Sequence, residues 1–248
     1  MLKLFEKNKL VFSLILILVY VVSFSLADAF SEQQGIPKLF TVIVGALLST
    51  AVMLFVLKNH LSAYVGLAKI RGSGRNYLYF IPLILLSVVN VVSLMIIGES
   101  LKIDLQTLLA AVSMIFVGVL EEIIFRGFLF RSLCEQKIST AFVISSLTFG
   151  MGHIINLLSG APLFDTLMQI IYASAVGFCF TALFYCCDSI IPCIVSHIVV
   201  NASGVFIDSY SRTELIVITI VQTGIGLLYG LWLLRTHKNT ASEVMKNV

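Results

Sequence analysis

Apolar runs of about 20 residues, the length that crosses a bilayer core, recur along this chain and leave little choice of fold. Eight can be drawn, at about 10–28, 37–57, 78–98, 105–130, 139–158, 166–187, 189–208 and 214–234. They predict an all-α, polytopic transmembrane helical bundle, read as one domain over residues 1–248. The chain is 59% hydrophobic and 12% charged; soluble domains carry about 25% charged residues. So little polar surface cannot cover a water-soluble body of this size, and the natural partner is the lipid bilayer. No basic patch interleaved with aromatics is present, which excludes a nucleic-acid partner. The longest connection, about 58–77, carries the turn-like Gly72-Ser73-Gly74.

The basic residues orient the bundle. Eight spans put both termini on one side, and 13 of the 16 Lys and Arg then fall on that side. Only Lys38, Lys102 and Arg212 fall on the other. Cytoplasmic loops carry the excess of Lys and Arg, so both termini are expected in the cytoplasm, with the plasma membrane as the expected location. The first span follows Lys3, Lys7 and Lys9, and Ala27-Asp28-Ala29 imitates a signal-peptidase site. Its apolar run exceeds that of a signal peptide, which favours a retained span. Five cysteines, Cys134, Cys179, Cys186, Cys187 and Cys193, form no C-x-x-C pair and read as small apolar packing residues.

Against this background, ionisable residues inside spans stand out. Of the 13 acidic residues, eleven are assigned to loops or tails, leaving Glu121 and Glu122 within the fourth span. A charge at the bilayer centre costs at least about 2.5–3.5 kcal/mol, so such residues face a bundle interior and act there. Arg126 lies four residues after Glu122, in the favourable acid-before-base order, and is expected to neutralise it. Glu121, turned about 100° around the helix, then needs a partner on another helix, or water. His153 in the fifth span and His197 in the seventh are candidates. Asn201 shares a helix face with His197, Asn156 lies three residues after His153, and Gly150 and Gly152 flank His153 and would allow close helix approach. Helical rise places Glu121 roughly 15 Å from Arg131 and His197 roughly 14 Å from Asp188, which match in depth. His153 lies roughly 24 Å from Lys137, which does not, and requires a tilted or sunken fifth helix.

These residues form three motifs in order, on separate spans. Glu121-Glu122-Ile-Ile-Phe-Arg126, Phe149-Gly-Met-Gly-His153 and His197-Ile-Val-Val-Asn201 resemble the E-E-x-x-x-R, F-x-x-x-H and H-x-x-x-N motifs of the CAAX-protease and bacteriocin-processing (CPBP, or Abi) membrane proteins. The motif core covers about 118–204. The resemblance implies an intramembrane endopeptidase with a cavity open towards the cytoplasm, cutting a peptide or membrane-protein substrate near the cytoplasmic half of the bilayer. It implies that Glu121 and His153 activate a water, that His197 and Asn201 hold the oxyanion, and that Glu122, Arg126 and Phe149 support the site. It also brings an alternative: a bacteriocin-type self-immunity protein, or a regulator of a membrane sensor protein, on the same fold.

Peptide hydrolysis needs a base, and donors aimed at the developing oxyanion. The same residues leave a second chemistry open, in which Glu121, His153 and His197 ligate a divalent metal such as zinc; no H-E-x-x-H is present. A transporter is disfavoured because the ionisable residues gather at one site and no paired broken helices mark inverted repeats. Gly226-x-x-x-Gly230 reads as internal helix packing. Ser196 points away from its neighbour His197, against a Ser–His pair. Tyr77, Tyr79 and Phe80, at a span end, read as interfacial anchors.

Overall fold

A computed structural model describes residues 1–70, 76–97, 103–207 and 210–236. Among them every regular element is helical and there is no strand. A short helix, α1 (Leu2–Lys7), precedes α2 (Lys9–Gln33) and α3 (Leu39–Lys58). A 3₁₀ turn, Asn76–Phe80, leads into α4 (Ile81–Ile97). The fourth span runs without a break from Leu105 to Cys134, as α5 (Leu105–Glu121), a π-helical segment (Glu122–Phe130) and α6 (Arg131–Cys134). Then come α7 (Ile138–Met151) with a 3₁₀ extension (Gly152–Ser159), α8 (Leu163–Cys187), α9 (Ile191–Gly204) and α10 (Arg212–Thr236). Seven of these helical runs are long and apolar enough to cross a membrane, and α9 is a shorter apolar helix. The chain is thus an all-α polytopic bundle, as the apolar runs predict. The turn at Gly72-Ser73-Gly74 lies outside the described residues.

The seventh run, expected at 189–208, is cut to the 14 residues of α9. Its start is sunk inside the protein rather than at a lipid surface. Ser189 and Ile190 are fully buried. The Ile190 amide donates to the Gly66 carbonyl and the Ser189 hydroxyl to the Ala68 carbonyl. Irregular backbone at such depth is tolerated only where protein satisfies it, and the 59–70 connection does so here. Gly66, at φ +77°, is required: a side chain would strike the Phe184 ring and the Ile190 amide. Next to it, Val65 packs on Gly127 of the π segment.

α8 is the central post. Gly150 meets it at Ile170 and Ser174, Gly226 at Ala175, and Gly230 at Phe178. The Gly226-x-x-x-Gly230 pair therefore serves internal packing, as expected. The five cysteines are buried and free, in keeping with a packing role. Tyr79 departs from expectation. Tyr77 is exposed, but Tyr79 is 2% exposed and belongs to the core rather than to an interfacial belt.

Charged pairs mark the two ends. At one end Lys9 of α2 pairs with Glu135 beyond α6, and Arg131 pairs with Asp188 at the end of α8. At the other, Lys38 pairs with Asp28. Asp28 corrects the assignment of eleven acids to loops or tails, since it sits in the last third of α2, bonded also to Thr41 of α3. Ala27-Asp28-Ala29 lies within the same unbroken helix, and Ala27 is buried.

Candidate active site

The site begins where α5 changes pitch. From Glu122 to Phe130 the backbone is a π-helix, and all nine of its residues are buried. Such wide turns occur mostly as short insertions in α-helices, frequently at functional sites. Glu121, the last α-helical residue, points to a cavity, while Glu122 turns into the protein. Their side chains are 13% and 0% exposed.

Glu122 and Arg126 form the expected ion pair, with Arg126 Nη1 donating to Glu122 Oε1 at 2.9 Å. A second guanidinium nitrogen is also held, while Nε has no partner among the described residues. Nη2 donates to the Gly177 carbonyl at 3.1 Å. Its plane lies 4.2 Å from the Phe149 ring centre and 5.6 Å from that of Phe180. Gly177 permits this packing, since a Cβ there would stand 2.9 Å from Phe149 and 3.3 Å from Arg126.

His197 joins the two glutamates. Its Nδ1 lies 2.7 Å from Glu122 Oε1 and its Nε2 3.6 Å from Glu121 Oε2. A carboxylate paired with arginine accepts, so Nδ1 carries the hydrogen and Nε2 is turned to the cavity. The motif spacing did not foretell this bond. Glu122 is therefore more than a counter-ion to Arg126: it sets the orientation of His197. Phe149 packs edge-on against both histidines, 5.7 Å from His197 and 6.1 Å from His153 between ring centres.

The partner that Glu121 requires is found on α2. Tyr20 donates its hydroxyl to Glu121 Oε1 at 2.6 Å. No motif announces Tyr20. The only hint was a hydroxyl within the first apolar run. α2 is thus part of the site, which the alternative of a cleaved first span would have removed.

Glu121, His153, His197 and Asn201 line one cavity of about 490 Å³, together with Tyr20, Phe149 and Asn156. Glu122 and Arg126 lie behind it. Asn156 donates to Gln169 of α8 at 2.8 Å and so braces the 3₁₀ extension that carries His153. Asn90 of α4 braces α9 in the same way, donating to the Val200 carbonyl and to Ser203. The depth mismatch for His153 disappears because the references used for Glu121 and His197 were wrong. Arg131 and Asp188 do not mark a water surface; they are buried against each other. Of the two glycines beside His153, Gly150 makes a close helix approach, but a Cβ at Gly152 would meet nothing within 4 Å. Gly152 widens the cavity and packs on no helix. Ser196 is buried and its hydroxyl has no partner, so no Ser–His pair exists.

The metal alternative fits poorly. Among the described residues no three His, Cys, Asp or Glu side chains gather as ligands.

The cavity lining is uneven between the two ends of the bundle. The lining reaches Lys38, Ser159 and Tyr210, all at the end of the bundle opposite the chain's basic connections. None of residues 59–70, 135–137 or 188–190, at the basic end, takes part.

Residues 103–203, from just before α5 to the end of α9, match the family model of type II CAAX prenyl endopeptidase Rce1-like proteins. The matched segment is similar to the CPBP, or CAAX-protease, family. The matched segment contains all three motifs and every helix that carries Glu121, His153, His197 or Asn201, while Tyr20 and Asn90 lie outside it. Seven helices long and apolar enough to span make the chain a multi-pass membrane protein, and its matched segment is similar to CAAX-protease-like hydrolases. Comparison with curated proteins gave no match, and comparison with solved structures gave none.

Proposed function

We propose that this chain is an intramembrane endopeptidase of the plasma membrane, hydrolysing a peptide or membrane-protein segment with a water activated by Glu121 and His153. The observation that carries the reading is the convergence of Glu121, His153, His197 and Asn201, from three separate spans, on one cavity.

The steps follow from the contacts. Tyr20 holds one oxygen of Glu121 and leaves the other towards the cavity. A water between Glu121 and His153 gives its proton to Glu121 as its oxygen attacks the scissile carbonyl. The carbonyl oxygen becomes an oxyanion, facing His197 Nε2 and the Asn201 amide. Glu121 then passes the proton to the departing amine, the C–N bond breaks, and acid and amine products leave.

With its Nδ1 hydrogen directed at Glu122, His197 donates to the oxyanion through Nε2 when that nitrogen also carries a hydrogen.

Mass spectrometry of membrane peptides from cells carrying the wild type or Glu121→Gln tests the reading. Defined segments should persist in the variant and be cut in the wild type. Identical peptide sets, with both proteins at equal abundance, would refute it. With a substrate in hand, Asn201→Ala should lower kcat about 10²–10³-fold with little change in KM.

A further inference from the structure

We infer that the substrate reaches this site from the extracytoplasmic side of the membrane. The word substrate rests on the peptidase reading above; the direction rests on geometry and charge alone.

Most helices that line the cavity do so towards the same end, while α4 (Leu86, Asn90) and the fourth span (Ser113 to Phe125) line it near their middles. α2 contributes Tyr20 to Asp28, its half away from Lys9. The fifth span contributes Phe149 to Ser159, and α9 His197 to Gly204, again the halves that follow the basic end. Of the helices running the other way, α10 contributes Leu215 to Gln222, its half away from the basic end, and α8 contributes Gln169 to Phe180, from that half to just past its middle. The cavity therefore has a mouth at one end of the bundle and a floor part-way down. Below the floor lie the Glu122–Arg126 pair and then the buried Arg131–Asp188 pair, which close the other end.

The charge distribution says which end is which. Arg126 and Arg131 are buried and take no part in orienting loops; among the other described residues, seven Lys and Arg lie at the closed end and two, Lys38 and Arg212, at the mouth. An excess of this size in short connections directs that end to the cytoplasm. Acidic residues, Asp28, Glu32, Asp104, Asp165 and Glu214 among them, outnumber basic ones at the mouth. The mouth then faces the outside. The matching substrate is a polypeptide segment presented in the outer half of the bilayer or beyond it, such as an exported peptide, and not a cytoplasmic C-terminal tail.

Cysteine labelling decides the point, because all five native cysteines are buried and give little background. Ser159→Cys and Gln33→Cys place exposed thiols at the mouth end, Ser25→Cys places one in the cavity, and Gln136→Cys places one at the closed end. In spheroplasts of a bacterial host, a membrane-impermeant maleimide should label Ser159→Cys and Gln33→Cys to the level reached in detergent. It should label Gln136→Cys only after permeabilisation. A small charged methanethiosulfonate should reach Ser25→Cys from outside. Labelling of Gln136→Cys in intact spheroplasts, or of the mouth thiols only after permeabilisation, would overturn the inference. Two mouth positions guard against one variant failing to fold. The readout is independent of turnover, so labelling from outside combined with identical peptides in wild-type and Glu121→Gln cells would sink the peptidase reading and leave the direction of access standing.

Discussion

Glu121 and Glu122 are adjacent in the chain and sit in different media. Glu121 borders the cavity, holds a tyrosine hydroxyl and keeps one oxygen towards open space. Glu122 is sealed in protein, bonded to Arg126 and His197 on one oxygen. The cavity face is open, and the wall behind it is closely packed, although Glu122 Oε2 and Arg126 Nε have no hydrogen-bond partner among the described residues. The difference teaches that a pair of carboxylates in a membrane can divide its work: one is stabilised by permanent partners and holds others in place, while its neighbour is left under-coordinated and free to accept a proton.

The sharpest way to break that comparison is to neutralise each glutamate in turn. Glu121→Gln removes the base and should lower turnover about 10²–10⁴-fold, with folding and abundance unchanged. Glu122→Gln leaves Arg126 as a buried cation without its counter-charge, which costs about 3–5 kcal/mol. That variant should therefore lose thermal stability in detergent and abundance in cells before any assay is run. Variants of equal stability and equal inactivity would show that the two glutamates are not divided in this way.

Tyr20 supplies the next test, on the cavity side alone. A hydrogen bond to a charged group contributes about 1.5–3 kcal/mol. Part of that sets the position of Glu121, and Tyr20→Phe keeps the ring and its packing on Phe24. Turnover should fall about tenfold, equal to about 1.4 kcal/mol of barrier, while the melting temperature moves little. An unchanged kcat would reduce Tyr20 to a packing residue. A large loss of stability would place it with the wall instead.

Much of this arrangement was readable from the chain, and the unread parts share a cause. Spans were legible because hydrocarbon tolerates few charges, and Glu121, Glu122 and Arg126 stood out for the same reason. The Glu122–Arg126 pair followed from local spacing, and the His and Asn residues from their rarity in apolar runs. Tyr20 was not legible: it lies 101 residues from Glu121, and a tyrosine in an apolar run is unremarkable until a partner faces it. The Glu122–His197 bond depends on how α5 and α9 pack, where Gly118 lets Ile198 approach closely, and spacing within one helix carries no such information. The end of the bundle at which the cavity opens was not legible either, because it depends on which parts of the helices splay and not on motif spacing.

The smallest effect concerns the two glycines beside His153, which the sequence treats alike and the structure does not. At Gly150 a Cβ would stand 2.0 Å from the Ser174 hydroxyl and 2.7 Å from the Ile170 carbonyl. Ser174 can rotate, but the Ile170 carbonyl belongs to the backbone of α8, so the fifth span must move away. Overpacking of this kind costs about 1–3 kcal/mol, and Gly150→Ala should lower the melting temperature accordingly. At Gly152 the same methyl meets nothing, so Gly152→Ala should leave stability within about 0.5 kcal/mol of the wild type. The added group would still enter the cavity next to His153, where it occupies space that substrate or water uses. Its signature should be a modest rise in KM at constant melting temperature, the reverse of Gly150→Ala. Equal destabilisation by both substitutions would mean that Gly152 also packs against a helix, and that the cavity wall beside His153 is as closely built as the wall behind Glu122.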